Sequence, residues 1–150
     1  MKPEENEKDA AHLANLTFAL LTTCQQKESI FAQQYGLTQA EFRCLKLFEK
    51  KEVVNNKTIA KRMGLSASRL TRIIDGLVAK GYTKREINPS DRRNMDVDLS
   101  KKGQLLVQKL DNAYVNIHKE LLEEIDDSQH KPLIFAMTNL LGAMEKWLSK

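Results

Sequence analysis

Residues 57–103 read KTIAKRMGLSASRLTRIIDGLVAKGYTKREINPSDRRNMDVDLSKKG, and this stretch decides the fold. Its first half holds two short helical segments on either side of a glycine. Asn55 or Asn56 caps the first, over about 57–63, and Gly64 stops it. Ser66 caps the second, over about 67–80, and Gly81 stops that one in turn. Two short helices that cross at a fixed angle need small residues where they meet. Ala60 lies at that meeting point, Gly64 can take the left-handed conformation of a tight turn, and Leu70 faces back into the angle. Ile59, Met63, Leu65 and Ile73 complete a miniature core. The spacing predicts a helix-turn-helix.

The second half predicts two strands, Tyr82–Ile87 and Met95–Ser100. In the latter, Met95, Val97 and Leu99 alternate with Asp96, Asp98 and Ser100, so one face is buried and the other wet. Asn88-Pro89-Ser90-Asp91 between them is strong turn chemistry. With Leu70, Ile73, Ile74 and Leu77 turned inward, the second helix presents Ser66, Ser68, Arg69, Thr71 and Arg72 at its N-terminal turns. Hydroxyls and guanidinium groups there can meet phosphates and major-groove base edges, arginine by a bidentate contact with guanine. At the hairpin tip stands Asp91-Arg92-Arg93, in a loop too polar for core. A narrow minor groove attracts an inserted arginine, and an aspartate two residues before Arg93 is placed to hold that side chain extended. Mere solvent exposure is the bland alternative for each arginine.

Outward from this centre the chain is helical. A helix over 10–35 carries Leu13, Leu16, Leu20, Cys24 and Phe31 on one side, and Ala14, Phe18 and Leu21 widen its apolar arc. Gly36 ends it, and Thr38 with Glu41 makes a capping box for a helix running to about Lys51 with Phe42, Leu45 and Phe48 inward. Val53 and Val54 suit a very short strand. Ser100 caps a long helix to about Ile125, striped by Leu106, Leu110, Ala113, Ile117 and Leu121. Asp127 or Ser128 opens a last helix, with Pro132 near its start and Leu133, Met137, Leu140, Met144 and Leu148 along it.

The whole chain has 150 residues, 41% of them hydrophobic and 29% charged, which suits one folded domain and not a disordered chain. No apolar run approaches the roughly 20 residues that span a bilayer, and the polar, acidic start resembles no export signal, so no membrane and a cytoplasmic location are expected. Net charge is +4, yet residues 57–109 hold 13 Lys/Arg against 5 Asp/Glu, and the rest 11 against 15. A basic middle between acidic ends suits a segment that meets a polyanion. Two cysteines and three histidines make neither a disulfide scaffold nor a zinc finger, so no cofactor and no metal are expected. No Ser/His/Asp, Cys/His or paired-carboxylate arrangement and no Gly-rich phosphate loop can be assembled, so an enzyme is not expected.

The run Leu65-Ser66, Leu70-Thr71-Arg72, Leu77, Lys80-Gly81-Tyr82, Arg85, Asp91-Arg92-Arg93, Val97, Leu99-Ser100 and Gly103 resembles the MarR family of bacterial winged helix-turn-helix transcriptional regulators. Upstream, Leu37-Thr38, Glu41-Phe42 and Leu45 resemble the family's second helix, so the likeness covers about 37–103. The resemblance implies a mainly α fold with a small β-hairpin wing. Residues 1–150 would form one such domain, with dimerisation helices at 10–35 and 101–149 and a DNA-binding lobe at 37–100. It implies a homodimer on a pseudo-palindromic operator of double-stranded DNA, acting as a repressor. The recognition helix, with Ser66, Ser68, Arg69, Thr71 and Arg72, would enter the major groove. The wing, with Arg85, Asp91, Arg92 and Arg93, would enter the minor groove. Arg69 is larger than the residues often found at its position, which leaves the bases read open.

Members of the family respond to small phenolic or lipophilic effectors, to thiol oxidation or to a metal. Cys44 lies between Phe42 and Leu45 on an inward stripe and reads as core. Cys24 is the candidate for a redox-responsive regulator, although oxidation-sensing members carry their cysteine nearer the start of this helix. His118 and His130 with nearby carboxylates make only fragments of a metal site. From a different class, a winged-helix protein-interaction module that does not bind DNA remains the alternative, against which the basic wing argues.

Overall fold

The computed structural model describes residues 2–48 and 53–150, Arg92 by its backbone alone. Along the described residues the order is α1 (Pro3–Gln34), α2 (Gln39–Lys46), β1 (Val53–Asn55), α3 (Asn56–Met63), α4 (Ala67–Ala79), β2 (Thr83–Asn88), β3 (Asp91–Leu99), α5 (Lys101–Glu123) and α6 (Asp127–Leu148). The fold is mainly helical with one small antiparallel sheet, as the sequence predicts. The chain divides into two compact units, Met1–Val107 and Gln108–Lys150.

In the first unit α1 starts at Pro3, seven residues before the expected boundary. Pro3 occupies the first helical turn, where its missing N–H costs nothing, and Glu4 and Glu5 complement the positive end of the helix dipole. Polar composition had disguised a helix with a good start signal. Phe31 and Ala32 near its far end are buried, and the Phe31 and Phe42 rings meet edge-on at 5.3 Å. Glu28 joins α1 to α2 by accepting from Arg43 Nε at 2.7 Å and Gln39 Nε2 at 2.9 Å. The Arg43 guanidinium holds the Glu28 carboxyl below the usual carboxylate range. Thr38 and Glu41 form the expected capping box. The α2 helix ends at Lys46, earlier than Lys51, and residues 49–52 lie outside the described residues.

Asn55, not Asn56, caps α3 by accepting from Lys57 N–H, and Gly64 ends it at a φ of 66°, the left-handed turn foreseen from its position. Ser66 caps α4 by accepting from Arg69 N–H. Leu70, Ile74 and Leu77 of α4 are buried with Ile59 of α3 and Val97 of β3, while Ile73 is only half-buried. The sheet runs β1-β3-β2. It therefore has three strands, because β1 pairs with β3 from Val53↔Asp98 to Asn55↔Asp96. The hairpin pairs Thr83↔Leu99 through Ile87↔Met95 and then jumps to Asn88↔Asp91. One step along β2 thus matches four along β3, and residues 92–94 bulge from the ladder.

Entry into α5 is tight. Ser100 Oγ accepts from Gly103 N–H at 3.0 Å and donates to Gly81 C=O, while Ser100 N–H donates to Tyr82 C=O at 3.0 Å. Gly103 lies flat on that carbonyl: a Cβ there would fall 1.9 Å from Tyr82 O. This close approach is the physical content of the Leu-Ser-x-x-Gly pattern.

In the second unit, His130 Nε2 donates to the carbonyls of Leu122 and Ile125 at 2.7 and 2.8 Å, closing the end of α5 against the start of α6. Asp126 stands at the N-cap position of α6 without a side-chain bond to the helix, and Pro132 lies in the second turn, later than the first-turn placement expected. None of the α6 residues is buried.

Candidate nucleic-acid interface

The α4 N-terminal turns are exposed as a group. Ser66, Ser68, Arg69, Thr71 and Arg72 all face solvent, so residues 66–72 present a cap, two hydroxyls and two guanidinium groups. The hydroxyls are partly committed locally. Ser66 Oγ accepts from Arg69 N–H and lies 3.3 Å from Ser68 Oγ, and Thr71 Oγ1 donates back to Ala67 C=O at 2.9 Å. The guanidinium groups of Arg69 and Arg72 have no hydrogen-bond or ion-pair partner among the described residues. They are cationic donors held on a rigid helix and directed away from its buried face.

The wing differs from its sequence reading in two details. Asp91 was expected to hold the Arg93 side chain. Its carboxylate instead accepts from Arg93 backbone N–H at 3.0 Å and from Asn94 Nδ2 at 3.1 Å. The carboxylate is spent on folding the bulge, because three residues without ladder partners leave backbone groups that need satisfying. The Arg93 side chain is exposed and has no partner among the described residues. That of Arg92 lies outside them. Arg85, placed with the wing, forms an ion pair with Asp75 on α4. It braces strand against helix at its middle, and it cancels the one acidic side chain on α4.

Residues unremarked in this role by the sequence fix the pose of α4. Glu41 is buried, and its Oε1 accepts from Thr38 N–H at 2.9 Å and Lys80 Nζ at 2.6 Å. Lys80 Nζ also donates to Gly36 C=O at 2.9 Å, so one ammonium ties the end of α4 to the α1–α2 turn. Burial pushes the Glu41 carboxyl up, but the Lys80 ammonium and the Thr38 donors outweigh it and leave it below its ordinary value. A Cβ at Gly76 would lie 2.7 Å from Glu41 Oε2, so a glycine is what lets the carboxylate sit against α4.

Cys44 is fully buried, and burial first, then the Glu41 carboxylate, push its thiol up to about 12. Cys24 is half-buried on α1, and no polar group bonds its thiol among the described residues. No group of three or more His, Cys, Asp or Glu among the described residues is placed to hold a metal ion. No described helix is long and apolar enough to cross a membrane.

Residues 37–95, the lobe that carries α4, the wing and Glu41, match the MarR family model. The chain is 26% identical over 125 residues to the HTH-type transcriptional regulator SarZ of Staphylococcus saprophyticus, covering 81% of this chain and 86% of that one. It is similarly 26% identical to the HTH-type transcriptional regulator PapX of Escherichia coli, over 78% of this chain and 76% of PapX. Its fold is shared with wild-type MarR from E. coli in the apo form, at a TM-score of 0.76 and 22% identity, over 86% of this chain and 96% of the other. A lobe that offers arginines from one helix and one wing thus matches the MarR family model over that lobe, and over most of its length the chain is similar to HTH-type transcriptional regulators.

Proposed function

We propose that this regulator acts as a homodimeric repressor on a pseudo-palindromic operator, with α4 in the major groove and the wing in the minor groove. The observation that carries this reading is the set of exposed guanidinium groups without a partner among the described residues, Arg69 and Arg72 on α4 and Arg93 on the wing. Arg69 and Arg72, with Ser66, Ser68 and Thr71, contact base edges and flanking phosphates; Arg93 enters the minor groove and chiefly anchors. Arg85 acts through Asp75 and Asp91 through the wing backbone.

Dimerisation is supported by the apolar surface each unit leaves uncovered. Phe18 of α1 is 76% exposed, and Leu13, Leu16 and Leu21 are about half exposed. On α6, Phe135, Met144 and Trp147 are exposed as well. Many large apolar side chains left exposed along a helix mark an interaction surface, and fully burying one exposed side chain contributes up to about 1.5–3 kcal/mol. The dimerisation helices are accordingly 10–35 and 101–149. The repressing sense follows a structural neighbour named Multiple Antibiotic Resistance Repressor. Release by a small lipophilic or phenolic effector follows the family resemblance, and work on duplex DNA places the protein in the cytoplasm.

Selection of bound sites from random duplexes tests the reading. A two-fold symmetric consensus with half-sites about one helical turn apart, 10–10.5 base pairs centre to centre, is expected. Arg69→Ala or Arg72→Ala should change the consensus, whereas Arg93→Ala should weaken all sites alike. An unchanged consensus with both α4 variants would contradict the assignment.

A further inference from the structure

We infer that Asn56 is the residue that positions the wing arginine, acting through the Arg93 backbone and not by touching DNA. β1 pairs with β3 as far as Asn55↔Asp96, and at Asn56 the backbone turns away into α3. The Asn56 side chain continues what the backbone abandons. Its Oδ1 accepts from Met95 N–H at 3.2 Å and its Nδ2 donates to Arg93 C=O at 3.2 Å. A primary amide carries one acceptor and donors on the same planar group, so it can replace one peptide unit of an antiparallel ladder.

The replacement falls where it is needed. Residues 92–94 bulge away from β2 and have no ladder partner there. Arg93 is therefore held from both ends by side chains: its N–H by Asp91 and its C=O by Asn56. Its guanidinium has no partner among the described residues. A tip whose backbone is fixed before binding loses less conformational freedom on entering a groove, which strengthens association without adding a contact. Asn56 thus links the first residue of α3 to the tip of the wing and sets the wing relative to the helix-turn-helix. The sequence marks Asn56 only as one of two possible caps, and since Asn55 takes the cap, its neighbour is free for this task.

This inference rests on the reading of Arg93 as a DNA contact, and a double-mutant cycle on the full chain separates the two. Affinity for a selected operator duplex is measured for the parent, Asn56→Ala, Arg93→Ala and the double variant, with the thermal midpoint of each. Asn56→Ala is expected to raise Kd about three- to tenfold with an almost unchanged midpoint. In the Arg93→Ala background it should have no further effect. Asn56→Asp keeps the acceptor for Met95 N–H but sets a carboxylate against Arg93 C=O, so it should behave like Asn56→Ala.

If Arg93→Ala weakens binding and Asn56→Ala adds its own full factor to it, Asn56 works independently of Arg93 and the inference fails alone. An Asn56→Ala protein that binds like the parent also overturns it. If Arg93→Ala binds like the parent, both the wing reading and this inference fall. Should Asn56→Ala lower the midpoint severely, the Asn56→Asp comparison within the same cycle decides by the same criterion of non-additivity.

Discussion

Replacing Gly103 by alanine tests how the wing is joined to α5. The added methyl would sit 1.9 Å from Tyr82 O, 2.9 Å from Tyr82 C and 3.3 Å from Tyr82 Cα, all backbone atoms that cannot swing aside. Reaching even the tightest ordinary contact requires α5 and Tyr82 to part by about 1 Å. Ser100 N–H to Tyr82 C=O, Ser100 Oγ to Gly81 C=O and Lys102 Nζ to Lys80 C=O cross that junction, and the Gly103 N–H bond to Ser100 Oγ caps α5 beside it. Losing two of them costs about 2 kcal/mol. Overpacking strain adds about 1–3 kcal/mol. The better helix propensity of alanine offsets about 1 kcal/mol. The net expectation is destabilisation by about 2–4 kcal/mol, read from the urea midpoint at fixed protein concentration with an unchanged slope. A variant as stable as the parent, or more stable, would show that α5 does not lie on the Tyr82 carbonyl and would refute the reasoning.

Asp75→Asn should tighten binding to generic duplex, because Arg85 is released and α4 loses its negative side chain; the log–log salt slope should steepen by about 0.9, and looser binding would mean that Asp75 itself reads a base. Glu41 carries a depressed pKa, so its contribution is present above the ordinary carboxylate range and is lost as pH falls through the folded value. Glu41→Gln should therefore cost about 1–2 kcal/mol at pH 7, and the difference from the parent should shrink in unfolding curves as pH falls below the ordinary carboxylate range; a pH-independent difference would rule out the ion pair as its source. Cys44, with its thiol pushed up to about 12, should resist alkylation at pH 7.5 until the protein is unfolded, and mass spectrometry showing modification of the folded chain would contradict its burial.

What the sequence revealed was local. Thr38 with Glu41, Gly64, Ser66 and the alternation through Val97 and Leu99 are each signals carried within a few residues, and each matches the structure. The start of α1 lies in polar residues 3–9, where no apolar stripe marks a helix and only Pro3 and the acidic first turn signal it. What stayed hidden was long-range. The β1–β3 pairing, the Asn56 grip on residues 93 and 95, the Arg85–Asp75 pair and the Lys80–Glu41 contact join residues 10 to 45 positions apart. No periodicity encodes such partners. The same holds for the candidate site: its exposed arginines were legible from the helical pattern, whereas the aspartate at the wing tip was assigned the correct neighbour and the wrong atom.

The most direct test of the central claim is the equilibrium affinity of the full chain for a selected operator duplex and for a scrambled one, across 50–200 mM salt. Binding through several phosphates, with bases read by α4, calls for affinity on both duplexes that falls steeply and linearly on log–log axes, by at least tenfold over about this range, and a clear preference for the operator throughout. Affinity that stays flat with salt, or is equal on the two duplexes, would contradict it.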